Sequence, residues 1–319
     1  MSPTNRAAGA VLAGVAVAGL GALAWGTLVE RNRFTVRHEL LPVLPRGARP
    51  ITVLHLSDLH MAPWQAEKQA FVRSLARYEP DLIVDTGDNL GHADGLIGVK
   101  EALEPFEGVA GVFVHGSNDY VGPEFKNPFA YFAGPSRRRM NSDYLDLDTV
   151  AMELFFEDEL GWLDLNNTAR AMEIRGTRIE FYGTGDAHRG WDKLAALPRA
   201  IDDMRENVEW TPSTDEQVLS IGVTHAPYQR VLNSFVNQGA DVIFAGHTHG
   251  GQVRIPGLPA LVTNCDIPRD QAQGLSVWRT AHASAFLEVS AGLGTSIYAP
   301  VRFACPPEAV VLTLVAAEA

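Results

Sequence analysis

Acidic and histidine side chains follow short apolar runs at several points of this sequence. The clearest case is "HLSDLHMAP", where Asp58 and His60 come after the alternating run "ITVLHLS". In an extended segment, side chains two residues apart project from the same face, so both are expected to converge just past the end of a strand. Carboxylate and imidazole groups that converge in this way can hold a metal ion.

The same arrangement recurs further along the chain. Asp88 follows "DLIVDTG", and "GSND" at residues 116–119 follows "GVFVH". His225 follows "LSIGVT", and His247 and His249 are the two histidines at the end of "DVIFAGHTH". α/β folds place their functional sites at the carboxyl ends of strands. Seven possible oxygen and nitrogen ligands at the ends of five apolar runs suit a pair of divalent ions. Donors without thiolate indicate Mn, Fe, Zn, Co or Mg rather than copper.

The apolar runs alternate with segments of helical character from residue 51 onward. We predict strands at "ITVLHLS", "DLIVDTG" and "GVAGVFVHG", with helices over residues 64–78 and 95–106 between them. This is the βαβαβ rhythm of a sheet with helices packed on its faces. "AMEIRGTRIEFYGTGD" predicts a hairpin that turns at residues 175–177, and "AVVLTLV" predicts a closing strand.

Taken in order, "DLH", "GDN", "GSND", "THAP" and "GHTHGGQ" resemble the motifs of the calcineurin-like metallophosphoesterase superfamily. The resemblance runs from about residue 51 to the C-terminus, and "SAGLGTSIYAPVRFACPPEAVVLTL" is similar to the membrane-associated subgroup that includes the bacterial YkuE-type phosphoesterases. It implies an α/β fold, a four-layer sandwich of two mixed β-sheets flanked by helices. It also implies a phosphoester hydrolase that uses two divalent metal ions and a metal-bridging hydroxide.

The resemblance implies a role for each of the strand-end residues. Asp58, His60 and His249 resemble the ligands of one metal, His225 and His247 resemble those of the other, and Asp88 resembles the carboxylate that bridges both.

The fourth motif departs from the family pattern, in which Asn is followed by His. In strict register Ser117 takes the ligand position, whereas a one-residue adjustment lets Asn118 supply its amide oxygen. We prefer Asn118, because an amide carbonyl is a better oxygen donor to a divalent ion than a neutral hydroxyl. The histidine that assists catalysis is missing in either register.

Three further histidines lie outside the five motifs. His92, four residues after Asp88, is the candidate to restore the missing acid, although a surface loop histidine is the simpler interpretation. His188 in "GDAHRG" could line the substrate cleft, and His55 within the first strand is expected to be a core residue.

The N-terminal run carries no charged residue between Arg6 and Glu30. About 20 apolar residues suffice to cross the hydrocarbon core, so residues 1–29 are predicted to form a transmembrane helix that anchors the chain in the cell membrane. The alternative is a cleaved signal peptide, because "ALA" at residues 22–24 offers a processing site and would release an exported soluble form.

The remaining organisation follows from that anchor. Residues 30–50 are expected to form a linker and residues 51–319 the catalytic domain, so a chain that starts near Arg46 should be soluble and active. Arginines after the run, at positions 31, 33 and 37, weakly favour a cytoplasmic catalytic domain.

Composition limits the classes of partner and of site that this chain is expected to have. A net charge of −12 argues against a nucleic-acid partner, because proteins that bind the phosphate backbone usually present a strongly basic face. Cys265 and Cys305 are the two cysteines, too few for a disulfide framework or a thiolate zinc site.

These features predict a phosphoester substrate, lipid-linked or from the cell envelope. Some relatives of the membrane-associated subgroup hydrolyse the diphosphate of UDP-2,3-diacylglucosamine, so a similar activity is the specific expectation. One alternative is a phosphodiesterase that acts on soluble small molecules such as cyclic nucleotides. Another is a catalytically silent metal-binding scaffold at the membrane, which the altered "GSND" motif suggests.

Overall fold

Two six-stranded sheets form the centre of the structure, a computed structural model that describes residues 3–123, 135, 147–206 and 218–317. The first sheet consists, in order across it, of β1 (Thr35–Leu44), β12 (Glu308–Ala316), β2 (Ile51–Leu56), β3 (Leu82–Asp85), β4 (Gly111–Phe113) and β5 (Leu163–Asp164). All its neighbouring strands are parallel except β12 and β2.

The second sheet has parallel strands at its centre and an antiparallel pair at each edge. Its strands, in order, are β10 (Gly274–Arg279), β11 (Ser284–Val289), β9 (Val242–Ala245), β8 (Leu219–Thr224), β7 (Thr177–Gly183) and β6 (Ala169–Ile174). The edge pair β6–β7 is the predicted hairpin. Arg175 and Gly176 turn it with φ of 52° and 83°, the left-handed conformation that tight hairpin turns require.

Strand periodicity explains how the sheets stack. In β2, Val53 faces the second sheet and packs in a cluster with Ile221 and Phe244, whereas Leu54 and Leu56 face the opposite way. Alternate residues of a strand point to opposite faces, so a strand that is apolar on both faces is buried between two layers. His55 also lies in this interior, where its Nε2 is 3.0 Å from Thr86 Oγ1, which confirms its expected place in the core.

Helices cover the outer faces of both sheets. The helices are α1 (Pro3–Leu28), α2 (Ala66–Ser74), α3 (Gly95–Leu103), α4 (Thr149–Leu154), α5 (Leu197–Glu206) and α6 (Gln229–Asn237). Val72, Val99 and Met152 of α2, α3 and α4 pack on the first sheet, and Ile201 and Phe235 of α5 and α6 pack on the second. The predicted sandwich of two mixed sheets flanked by helices is confirmed, as are the strands and helices predicted for its first half.

The segment expected to be a linker contains β1, which pairs with β12 from Thr35 to Leu44. Its sequence contains Pro42 and charged residues, which suit an edge strand because the outer row of backbone groups needs no partner strand. Arg37 in β1 forms ion pairs with Glu308 of β12 and with the fully buried Glu288 of β11. These contacts join residues 30–50 to both sheets.

The N-terminal helix α1 ends against the loop that precedes β12. The backbone carbonyl of Gly26 accepts a hydrogen bond from the N–H of Arg302 at 3.1 Å, and the Glu30 carboxylate accepts one from the N–H of Cys305 at 2.8 Å. Among the residues that the structure describes, no helix meets both the length and the hydropathy that a membrane span requires. Cys265 and Cys305 are buried thiols that form no disulfide.

Candidate metal centre

The predicted ligands lie in loops at the carboxyl ends of β2, β3, β4, β8 and β9. Asp58 and His60 follow β2 with φ of 50° and 40°, and Asp88 follows β3 with φ of 57°. Asp58 and His60 are therefore not extended, and they converge through a left-handed turn rather than through strand alternation. The prediction that Asp58 and His60 project from one face of an extended segment is therefore wrong.

Backbone hydrogen bonds hold these unusual conformations. The N–H of Asp58 donates to Gly87 O at 2.8 Å and that of His60 to Asp88 O at 2.9 Å. Left-handed backbone at a residue with a side chain costs roughly 1 kcal/mol or more, so such residues persist where neighbouring structure fixes them and cluster at functional sites.

One group of donors consists of Asp58, His60 and His249, whose ligand atoms lie within 4.8 Å of one another. The Nε2 atoms of the two histidines are 3.3 Å apart, and Asp58 Oδ1 is 3.4 Å from His249 Nε2. Asp58 Oδ2 accepts hydrogen bonds from Ser57 Oγ and from the N–H of His247, but the buried Oδ1 has no hydrogen-bond partner among the described residues. An unpaired buried carboxylate oxygen is costly, and a cation placed here would offset that cost.

A second group consists of Asp58, Asp88 and His225, again with ligand atoms within 4.8 Å. Asp88 Oδ2 is 3.5 Å from His225 Nε2 and 3.6 Å from His60 Nε2. His247 joins this group, because its Nδ1 is 3.3 Å from His225 Nε2. Asp88 Oδ2 is therefore near one histidine of each group, and Asp58 belongs to both groups.

Outer contacts fix the orientation of two of these rings. His225 Nδ1 is 2.8 Å from the backbone carbonyl of Thr86, and His247 Nε2 is 3.2 Å from that of Asn264. A ring nitrogen beside a carbonyl carries a proton, so the opposite nitrogens, which face each other, are the atoms that could bind a metal when they are unprotonated.

Asn118 is the part of the fourth motif that reaches Asp88. Its backbone N–H donates to Asp88 Oδ1 at 2.8 Å, and its side-chain amide lies 2.5 Å from Asp88 Oδ2. The oxygen and nitrogen of an amide exchange places on a half-turn about its terminal bond, so the same position can present the amide oxygen to a cation. The backbone carbonyl of Ser117 accepts from the N–H of Val121, within the short turn that carries the motif.

Burial and charge set the protonation states of the histidines. Burial lowers the pKa of His60 and of His247 to about 4 and that of His249 to about 3. Burial also disfavours the charged form of His225, but Asp88 outweighs this and holds the pKa of His225 well above its ordinary value. At neutral pH three of the four imidazoles are therefore neutral, the form that binds metal ions.

Comparison with known proteins identifies the family. Residues 51–251 match the model of the calcineurin-like phosphoesterase family. The chain belongs to this family. The phosphoesterase is 24% identical to the Bacillus subtilis protein YpbG over 274 residues, which cover 84% of this chain and 83% of YpbG. It is 22% identical to the Bacillus subtilis metallophosphoesterase YkuE over 297 residues, covering 90% and 86% of the two chains.

Among solved structures, the phosphoesterase resembles TT1561 of Thermus thermophilus with a TM-score of 0.42 and 13% identity, covering 77% of this chain and 91% of that one. The family match and the YkuE relationship make the chain a metal-dependent phosphohydrolase. The predicted membership of the superfamily is confirmed.

Asp119 is a residue of the phosphoesterase that the sequence argument overlooked. Its two carboxylate oxygens accept hydrogen bonds from the backbone N–H groups of Gly116, Asp88, Asn89 and Leu90 at 2.6–3.1 Å. The carboxylate thereby ties the fourth-motif loop to the loop that carries Asp88. The only sequence feature that pointed to Asp119 was its position as the last residue of the "GSND" motif.

Two buried basic residues donate hydrogen bonds to the backbone of loops beside the site. Lys68 of α2 is buried, and its Nζ donates to the backbone carbonyl of Leu59 at 2.6 Å, between Asp58 and His60. The buried Arg302 donates to the carbonyls of Ala291, Gly292 and Gly294. No local pattern distinguishes such residues from solvated ones, because their partners come from distant loops.

The structure distinguishes His92, the predicted replacement for the missing acid, from His188, which was expected to line the substrate cleft. His92 contacts the exposed Trp64, with ring centroids 4.9 Å apart, and its Nδ1 accepts a hydrogen bond from the N–H of Asp94. His188 lies against His247, with ring centroids 4.6 Å apart, and its Nδ1 is 3.1 Å from the Tyr228 hydroxyl. Of these two residues, His188 is the one in contact with a predicted ligand.

Proposed function

We propose that this phosphoesterase hydrolyses phosphoesters with two divalent ions, for which Asp88 would be a shared ligand. Asp58, His60 and His249 would hold the first ion. The observation that carries this proposal is the buried Asp58 Oδ1, which has no hydrogen-bond partner among the described residues and lies 3.4 Å from His249 Nε2. Oxygen and imidazole donors with no thiolate suit Mn, Fe, Zn, Co or Mg.

The second ion would be held by His225, His247 and Asn118, with Asp88 as the bridging ligand. The facing nitrogens of His225 and His247 and the amide of Asn118 beside Asp88 Oδ2 support this assignment. When bound, such a pair of ions activates water and neutralises charge on the phosphoryl group.

The chain's own residues prepare the site for this reaction. Lys68 and Asp119 fix the loops of the ligands through backbone contacts, so the donors need little rearrangement on binding. In the reaction, a water molecule loses one proton to solvent as its oxygen bonds to phosphorus, the bond from phosphorus to the departing oxygen breaks, and the departing oxygen takes up one proton.

We assign delivery of that proton to His188, and keep His92 as the competing candidate. Replacing His188 with Ala is expected to slow alkyl phosphodiesters by about 10² to 10⁴, the usual contribution of a general acid, and to slow nitrophenyl esters much less. Nitrophenolate leaves without a proton, whereas an alkoxide does not. The measurement is the rate as a function of leaving-group pKa for both variants.

His92→Ala is the matched control, because it removes the other histidine. If His92→Ala shows the selective loss on alkyl esters and His188→Ala does not, the acid is His92. If neither variant changes the dependence on the leaving group, both assignments are wrong.

The substrate class that we propose is a lipid-linked or cell-envelope phosphoester or diphosphate, similar to UDP-2,3-diacylglucosamine. The support comes from Arg302, which contacts both α1 and the site. Its backbone N–H donates to the carbonyl of Gly26 in α1, and its guanidinium lies 3.4 Å from His249 Nδ1. A screen of the metal-loaded protein against phosphomonoesters, phosphodiesters and nucleotide-lipid diphosphates tests this proposal. Preference for soluble cyclic nucleotides would support the alternative phosphodiesterase, and inactivity with bound metal would support a silent scaffold.

We also propose that α1 anchors the protein in the cell membrane. Full-length protein is expected to sediment with membranes and to resist extraction by salt or alkali, because burial of apolar side chains in hydrocarbon is insensitive to both. Sedimentation after alkaline washing is the measurement. Recovery of a mature soluble protein that begins at Trp25 would show a cleaved signal peptide instead.

A further inference from the structure

Two loops beside the metal centre expose large apolar side chains. Val253, Ile255 and Leu258 follow the last histidine motif and are 37%, 50% and 54% exposed, and Tyr298 in the loop before β12 is 50% exposed. These four residues are called the apolar rim below. Exposed apolar residues that cluster on a protein surface indicate an interaction site.

Hydrogen bonds place the rim between the metal centre and α1. Val253 comes four residues after His249 in the chain and forms a bridge with Phe303. The Gln252 side chain donates to the carbonyl of Ala299 at 2.9 Å, next to Tyr298. The same loop continues to Arg302, whose N–H donates to Gly26 at the end of α1.

The exposed side chains of α1 extend the rim. Leu20, Leu23 and Leu28 are more than half exposed, and Trp25 is partly exposed near the point where α1 meets the loop. Exposed apolar side chains therefore occur on the end of the helix and in a segment that begins four residues after His249. A partner that covers the helix and the rim together must be extended and apolar.

The charges around the rim favour a lipid partner. The rim segments, residues 253–264 and 292–307, contain no Asp or Glu, although the chain has 38 acidic residues and a net charge of −12. Arg31 and Arg33 follow α1 directly, and the Arg33 guanidinium lies 5.9 Å from the centre of the Trp25 ring. Basic residues and aromatic rings at the end of an apolar helix are typical of the interface between hydrocarbon and headgroups.

We propose that the apolar rim docks on the surface of a lipid bilayer and that the metal centre thereby faces phosphoester groups at the headgroup level. This inference rests on the proposed phosphohydrolase function and adds the surface from which the substrate is drawn. The aliphatic side chains enter the boundary between headgroups and acyl chains, while Tyr298 keeps its hydroxyl at the wet side.

Contact with lipid is tested with a nitroxide spin label on the full chain in vesicles of phosphatidylcholine and phosphatidylglycerol. One variant carries the label at Leu258→Cys, and the control carries it at Leu154→Cys on α4, a residue that is similarly exposed. Both native cysteines are buried, which directs the label to the introduced thiol. The nitroxide at residue 258 should collide often with oxygen, which concentrates in the bilayer, and rarely with a water-soluble nickel complex. The nitroxide at residue 154 should collide rarely with oxygen and often with the nickel complex.

A functional test separates this inference from the proposed function. The double variant Ile255→Glu with Leu258→Glu should hydrolyse a phosphoester lipid in vesicles about tenfold more slowly or worse, because burial of each aliphatic side chain contributes to docking. It should keep the parent rate on a soluble nitrophenyl phosphodiester. The control is Val150→Glu with Leu154→Glu on α4.

Equal nickel access at both labels, or an unchanged rate on vesicles, would overturn docking and leave the hydrolase intact. Strong spin–spin coupling between labels at 258 would also overturn it, since it would show that a second copy of the chain covers the rim. A parent protein that hydrolyses neither substrate would instead refute the proposed function.

Discussion

Replacing Asp88 with Ala is expected to lower both the metal content and the rate of hydrolysis by orders of magnitude. The buried Asp88 carboxylate lies 3.5 Å from His225 Nε2 and 3.6 Å from His60 Nε2, so it is near one histidine of each group of donors. A bridging ligand holds both ions, so its loss removes the charge that keeps them together. Metal content per chain, measured by mass spectrometry, and the hydrolysis rate are the two readouts.

Two variants make this result interpretable. Asp202→Ala removes an exposed carboxylate of α5 and should leave both readouts unchanged. Asp88→Asn keeps the size of the side chain and should lose metal without unfolding, which melting curves can check. If Asp88→Ala retained two ions per chain and near-native activity, Asp88 would not be a bridging ligand.

Removing residues 1–45 is expected to prevent folding, contrary to the sequence-based expectation that a chain starting near Arg46 would be soluble and active. This truncation deletes β1 and exposes the β12 edge. It also removes Arg37 and leaves Glu288 and Glu308, whose side chains are 0% and 5% exposed, without that counter-charge. Breaking a buried ion pair from one side typically costs about 3–5 kcal/mol, a large part of the stability of a domain.

Single substitutions test the same point in the full-length protein. Arg37→Ala should lower the free energy of unfolding by about 3–5 kcal/mol. Arg199→Ala, which removes an exposed ion pair with Asp203 on α5, should change it by less than about 1 kcal/mol. Denaturant unfolding in detergent measures both. Equal effects of the two substitutions, with a soluble and active chain from Arg46, would restore the linker interpretation.

The sequence was informative about the candidate metal centre because the carboxyl ends of parallel strands lie at one edge of a sheet. Asp58, Asp88 and His225 each follow an apolar run, and the structure brings them together. The backbone conformation that directs these side chains toward one another could not be predicted from strand alternation. Asp58 and Asp88 adopt a left-handed backbone that hydrogen bonds to other loops stabilise. Local pattern therefore indicates which residues meet but not how the chain turns to bring them together.

Other features depend on contacts between residues far apart in the chain. β1 was missed because an edge strand with Pro42 resembles a linker, and its parallel pairing with β12 joins opposite ends of the sequence. The contact between His188 and His247 likewise arises where the loop after β7 meets the loop after β9. Residue spacing carries no information about such meetings, so His92, close to Asp88 in sequence, seemed the nearer candidate.

Anomalous diffraction from crystals of the metal-loaded protein tests the central claim most directly. We expect two peaks roughly 4 Å apart, with Asp88 between them and the oxygen of Asn118, not that of Ser117, bound to the second ion. We also expect Asp58 Oδ1 within bonding distance of the first ion. A single peak, or two peaks that Asp88 does not touch, would contradict the proposed two-metal centre.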